Sequence, residues 1–542
     1  MPDLFLKEEW QQDNNMISFD SWFSIPSGQP SPGISSWMAT TPSPVQEQIN
    51  LPPVAQAQQN PDLLKIFLRT LAPFSASLDG NTDSSNVYMK YYVPLCLQSP
   101  LLIHTAMYTA ACFLNETGHL DNSATMAHKS QAISMLNENL CLDSCSSDQT
   151  VAAHTQLILN EWYWGAATDL SPHLRGLKDI IGLRGGFRSL GIHGLIAKMA
   201  ITADVAIALS CEIPPALQPI RQIEPLENTQ VPLRLTLNTP LVSSLPRFAD
   251  CAEALKIDPA TAAILDDMRF LISAVLGLPD NPSPKELQKI NTTASWIHNR
   301  TSSLPDYSPR RPSPGARSST TPAIIVTDNS AFDLTPETDQ NSTIFSRRGS
   351  WHSVHSTHSI ASATSSRSDQ AYSDQDSPIP IPFPPPHPSQ PKSQCLQPSP
   401  SPPSPTPPDP LYTSIRLAAI LYSRAIMTRQ PFSAVISAPE FSALWSTMWR
   451  VPLTTWKGVL GVFNWIIVAL APAAGARGEG GRRQKRFVRS MLANSLLQMG
   501  SDNWELARGV MEGGGRLQGW LGQGGMEEDG VMGRERSGSR GV

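Results

Sequence analysis

Apolar residues recur at three- and four-residue spacing along most of this chain, and that period predicts helices. In "DLLKIFLRTL" (62–71), Leu63, Leu64, Phe67 and Leu71 share one face. "SPLLIHTAMYTAACFL" (99–114) is apolar nearly all round and opens with Pro100, which suits a helix N-terminus, so it reads as a core helix. "SATMAHKSQAISMLNENL" (123–140) follows with Ser123 as N-cap, then "DQTVAAHTQLILNEWYWGA" (148–166) and "LIAKMAITADVAIALSC" (195–211). The last is stopped by Pro214 and Pro215. Further helices are expected over 239–255, 258–276 and 284–299, and again over 411–432, 439–449, 458–470, 482–499 and 502–521. No alternating strand set and no Asn-Gly turn interrupts them, so the expected fold class is all-α.

Between these stretches the period fails. Residues 1–60 are rich in Gln, Ser and Pro, and 301–410 ends in "PPHPSQPKSQCLQPSPSPPSPTPPDP", which suits extended, unfolded chain. The sequence therefore divides into a disordered N-terminal segment (1–60), a helical block (61–300), a disordered Ser/Pro-rich insert (301–410), a second helical block (411–522) and a disordered Gly-rich tail (523–542). Composition agrees: 50 prolines and only 16% charged residues place much of the polarity outside ion pairs. Within the first segment, "EEWQQDNNMISFDSWF" (8–23) mixes Trp10, Phe19, Trp22 and Phe23 with acids. That is the make-up of an amphipathic activation segment, and equally of a linker with scattered hydrophobes.

Charge and cysteine content narrow the chemistry. A net charge of −5 gives no global basic field for nucleic acid. The seven cysteines are scattered, with no CxxC, which argues for reduced thiols rather than a disulfide framework. Cys141 and Cys145 in "CLDSC" lack a second ligand pair, so no zinc site is expected. The opening "MPDLFLKEEWQQDNN" has acids where a secretion signal carries a basic region, so the sequons at Asn115, Asn291 and Asn341 carry no weight. No HExxH, GxSxG, paired-carboxylate or Cys–His arrangement is visible; no enzyme, catalytic residue or cofactor is expected.

The segment "HLRGLKDIIGLRGG" (173–186) raises three readings: phosphate cradle, RNA-binding element or helix end. "GFRSLGIH" (186–193) has P-loop glycine spacing, but Ile192 and His193 stand where Lys and Ser/Thr belong. A single Arg-Gly-Gly does not make an RNA-binding repeat. As a helix, the segment sets Leu174, Leu177, Ile180, Ile181 and Leu183 on an apolar face. Gly185 or Gly186 then closes it in the left-handed conformation, with Arg184 in the last turn, and Gly176 and Gly182 admit a close neighbour.

The stretch 173–215 resembles the signature segment of the fungal-specific transcription factor domain, the helical regulatory region of fungal zinc-cluster activators. The resemblance rests on His173, Arg175 and Gly176, then Arg184–Gly185–Gly186, Asp204 on the following helix and the Pro214–Pro215 exit. Segments 91–114, 457–478 and 503–522 resemble the entry and closing helices of the family, so the likeness spans most of 61–300 and 411–522. It implies a nuclear, non-enzymatic transcription regulator whose partners are other regulators. Family members place six closely spaced cysteines at the N-terminus, where they bind two zinc ions and read DNA; here no cysteine precedes Cys96. DNA contact is therefore expected only indirectly through a partner, or from a zinc cluster encoded upstream of Met1.

Three further signals stand apart. Ser350 in "RRGSW" has basophilic-kinase spacing, and a phosphate there adds charge to a nearly neutral stretch. "GRRQKR" (481–486) reads as a nuclear import patch or as the solvated face of a helix. The run 458–476 approaches membrane-spanning length but contains Asn464 and Pro472; a buried core helix is favoured, and a single-span membrane anchor is the alternative.

Overall fold

The computed structural model describes residues 61–83, 85–141, 146–165, 170–226, 231–305, 409–474 and 482–537. The expected disordered segment 1–60, residues 306–408 of the expected insert 301–410, and the Ser350 phosphosite lie outside these residues, while 301–303 and 410 belong to helices. No strand occurs among the described residues, and the fold is all-α.

The chain enters through short helical pieces, and two of them widen to π-turns, Phe67–Leu71 and Tyr88–Tyr92. Each π-turn ends two residues before a proline, Pro73 and Pro94. In each, the residue preceding that proline donates its N–H five residues back, Ala72 to Phe67 and Val93 to Tyr88. A proline has no N–H to give and crowds the turn before it, and the wider turn accommodates both effects.

The long helices follow: α1 (Pro100–Glu116), α2 (Asn122–Leu140), α3 (Asp148–Tyr163), α4 (Ser171–Arg184), α5 (Leu195–Cys211), α6 (Pro259–Leu276) and α7 (Pro284–Ser303). After the undescribed stretch come α8 (Pro410–Thr428), α9 (Ala438–Trp449), α10 (Leu460–Ala473), α11 (Arg482–Asp502) and α12 (Trp504–Ser537). Proline at the first turn opens α1, α6, α7 and α8, with Ser99, Asp258, Ser283 and Asp409 capping them. Helix α2 is capped by Asp121, whose carboxylate accepts from the Ala124 N–H at 2.8 Å, rather than by Ser123, which lies inside the helix. The helix expected over 239–255 shrinks to Phe248–Cys251, because Pro240 and Pro246 break the run. Helix α12 continues to Ser537, past the point where loose chain was expected.

Helix α5 lies at the centre: every residue from Leu195 to Ser210 is buried, and it packs against α3, α10, α11 and α12. Helix α10 is buried along its whole length, with Trp465 stacked on Tyr422 of α8 at 4.8 Å. The Asn464 side chain on α10 donates to Ser495 Oγ of α11 at 2.9 Å, inside the core. Gly461 is required there, since a Cβ would meet the Leu237 carbonyl oxygen.

These facts support the buried-helix reading of 458–476 over the membrane-anchor alternative. At 14 residues, α10 spans about 21 Å, short of a hydrocarbon core of about 30 Å, and protein covers it on every side. Among the described residues, no helix is long and apolar enough to cross a membrane.

The helices after 409 are woven into those before 305. Arg416 of α8 donates to the Thr301 and Ser302 carbonyls at the end of α7, and Gln498 of α11 accepts the Leu78 N–H at 2.9 Å. Lys457 pairs with Asp79 at 3.0 Å, and Glu212, just past α5, accepts the Phe432 N–H at 2.7 Å.

Candidate functional site

The signature residues gather around α4 and the exit of α5. Leu174, Leu177, Ile180 and Ile181 are buried against the core, but Leu183, expected on the same face, is 74% exposed. It follows Ile181 by two positions, which turns it about 200° away on a helix. Gly185 closes α4 at φ 100° and Gly186 follows at φ 91°, with the Gly186 N–H bonded to the Ile181 carbonyl at 2.9 Å. Arg184 pairs with Asp148 at the start of α3 at 3.5 Å. Gly176 faces the His154 ring of α3, which a Cβ at 176 would touch at an ordinary contact distance of 3.5 Å. Gly182 has open space beside it and admits no neighbour, contrary to the expectation.

His173 is exposed near the start of α4, its ring edge-on to His154 at 6.3 Å. Burial, and the His173 ring beside it, lower the His154 pKa to about 4, which keeps that imidazole neutral. Arg175 is exposed. Ile192 and His193, the residues that break the P-loop pattern, both adopt positive φ and form the turn into α5, with His193 packed on Tyr91 at 5.0 Å. For a β-branched residue such as Ile192 this conformation is strained.

Asp204 is the structural pivot of the segment. It is buried within α5, and its two carboxylate oxygens accept the Ala216 and Leu217 N–H groups at 2.9 and 2.8 Å. Lys178 of α4 reaches the Ala216 carbonyl at 3.2 Å. Thus α4, α5 and the chain leaving Pro214–Pro215 are joined at one acid. Burial raises its pKa to about 6, against the opposing pull of the two amide bonds and Lys178. These contacts place His173, Arg184–Gly185–Gly186, Asp204 and Pro214–Pro215 in one connected structural element. No ligand-facing cluster arises from them.

The concave site lies elsewhere. A pocket of about 320 Å³ opens between the entry pieces, the C-terminal half of α1, the end of α3 and the start of α11. Phe74, Phe113, Trp164, Phe487 and Met491 give it a mainly apolar wall. Thr109, Gln156, Ser490 and Asn494 add polar groups, and Arg486, ion-paired with Glu116, forms one side. Arg486 also donates to the Trp164 carbonyl at 3.3 Å, so part of "GRRQKR" is a packed, paired face of α11. The sequence showed this pocket only as apolar helix faces, because its walls come from segments some 400 residues apart (Phe74 and Asn494) that no local spacing connects. Among the described residues, no three His, Cys, Asp or Glu side chains converge as a metal site.

This is an all-helical domain with a helix-bounded pocket and no visible catalytic constellation among the described residues. Residues 62–219 match the family described as fungal specific transcription factor domain, and this part of the chain carries that domain. The span runs from the entry pieces to just past the Asp204 junction and includes every signature residue. No curated protein and no solved structure matches the chain. The family match supports a fungal transcription regulator, a class of protein that acts without catalysis and in the nucleus.

Proposed function

We propose that this chain is the regulatory part of a fungal transcription factor that reaches DNA through another regulator, or through a zinc cluster encoded upstream of Met1. The observation that carries the reading is the family match over 62–219, whose signature residues form the α4–α5 junction at the centre of the fold. The helices after 409 extend that domain: α10, α11 and α12 pack on α5, so 61–300 and 411–522 act as one regulatory unit. Its partners are other transcription regulators, and its action is non-enzymatic. Ser350, in the Ser/Pro-rich stretch between the two blocks, is proposed as a regulatory phosphosite.

The test is a tethered reporter. The full chain, fused to an unrelated DNA-binding domain, is expected to change transcription from a promoter carrying that domain's site by about threefold or more, a shift in occupancy worth about 0.7 kcal/mol. A reporter unchanged by a nuclear, well-expressed fusion contradicts the proposal.

A further inference from the structure

The pocket between α1, α3 and α11 has chemistry that selects its occupant. Its walls are aromatic on several sides, through Phe74, Phe113, Trp164 and Phe487. Among the described residues, its one strong cation is Arg486, already neutralised by Glu116. An anionic ligand must displace that carboxylate, and a cationic one must compete with the guanidinium; either loses a partly buried pair. Hydrogen-bonding capacity nevertheless remains. Among the described residues, the Asn494 amide and the Thr70 hydroxyl, both in the wall, have no hydrogen-bond partner. The Trp164 indole N–H is buried without an acceptor. Unsatisfied donors and acceptors around an apolar hollow of this size are the usual make-up of a small-molecule site.

We propose that this pocket binds an uncharged, largely aromatic small molecule bearing one hydroxyl or carbonyl, which sits among the aromatic rings and hydrogen-bonds to Asn494. The inference rests on the regulatory reading above and gives it an input. The occupant touches both the family-matched segment, through Phe113 and Trp164, and α11 outside it, through Ser490 and Asn494. Binding therefore favours the arrangement in which α11 is seated on α1 and α3.

The experiment uses the purified full chain and 1-aminoanthracene, an uncharged fluorescent ring compound, with 2-naphthol and 2-naphthoate as competitors at neutral pH. The expected result is saturable one-to-one binding, displaced by 2-naphthol at roughly tenfold lower concentration than by 2-naphthoate. Ser490→Phe, which fills the pocket, is expected to weaken binding about tenfold with the helical circular dichroism intact. No saturable binding, equal displacement by the carboxylate, or unchanged affinity in Ser490→Phe overturns the proposal. If Ser490→Phe does not fold, Asn494→Leu decides: a 2-naphthol affinity about fivefold weaker supports the site, and an unchanged one refutes it. Binding is read on the protein alone, so it can fail while the tethered reporter succeeds, and the reverse.

Discussion

At the residue scale, Asp204 explains why a single acid belongs in the largely apolar, buried helix α5. Two backbone N–H groups just after Pro214–Pro215 need acceptors where little water reaches, and one carboxylate serves both. Its folded pKa of about 6 lies above the ordinary 3.8, so the folded state holds the proton more tightly than the unfolded state. Its contribution to stability is therefore greatest below about pH 4, falls as pH rises towards 6, and stays low above that. Asp204→Asn is expected to flatten this part of the stability–pH curve, measured as the urea midpoint of both proteins from pH 4 to 7. A variant whose curve keeps the native slope contradicts the role. The glycines separate in the same way. Gly185→Ala is expected to lose about 1 kcal/mol because of its left-handed φ, whereas Gly182→Ala, exposed in the last turn of α4 with open space beside it, is expected to gain up to about 0.5 kcal/mol. Thermal midpoints moving in the same direction for both would sink this distinction.

At the element scale, the apolar periodicity carried most of the helices because their buried faces follow the 3.6-residue repeat. It set Leu195–Cys211 at its observed bounds and placed most of the others within a few residues, but it ended α12 at 521 where the helix runs on to Ser537. It failed where proline chemistry overrides pattern: at 239–255, and at the entry pieces, where prolines widen the helix into π-turns. It read Leu183 as apolar-face because Leu183 follows Ile180 by three residues, yet it lies about 200° round the helix from Ile181 and faces solvent. In the signature segment, the left-handed closure at Gly185 was legible in the sequence. The Asp204–Ala216–Leu217 contacts and the pocket were not, because both depend on segments brought together by folding. The long-range ties Arg416–Thr301, Gln498–Leu78 and Glu212–Phe432 lead to an element-level prediction. Cleavage at a protease site inserted between residues 320 and 400 is expected to leave the two halves co-eluting on gel filtration without denaturant. Separation into two peaks would show that the blocks do not form one domain.

At the scale of the whole molecule, an all-helical core buried around α5 and a family match over residues 62–219 combine to support a fungal transcription regulator. Its net charge of −5 gives no global basic field for nucleic acid. The central claim is that the chain acts at promoters. The most direct measurement is chromatin immunoprecipitation of the protein tagged at its own locus. Enrichment at discrete promoters about fivefold or more over an untagged strain, a gain in occupancy worth about 1 kcal/mol, is the predicted result. A tagged, expressed protein with no promoter enriched above the untagged strain would contradict the account.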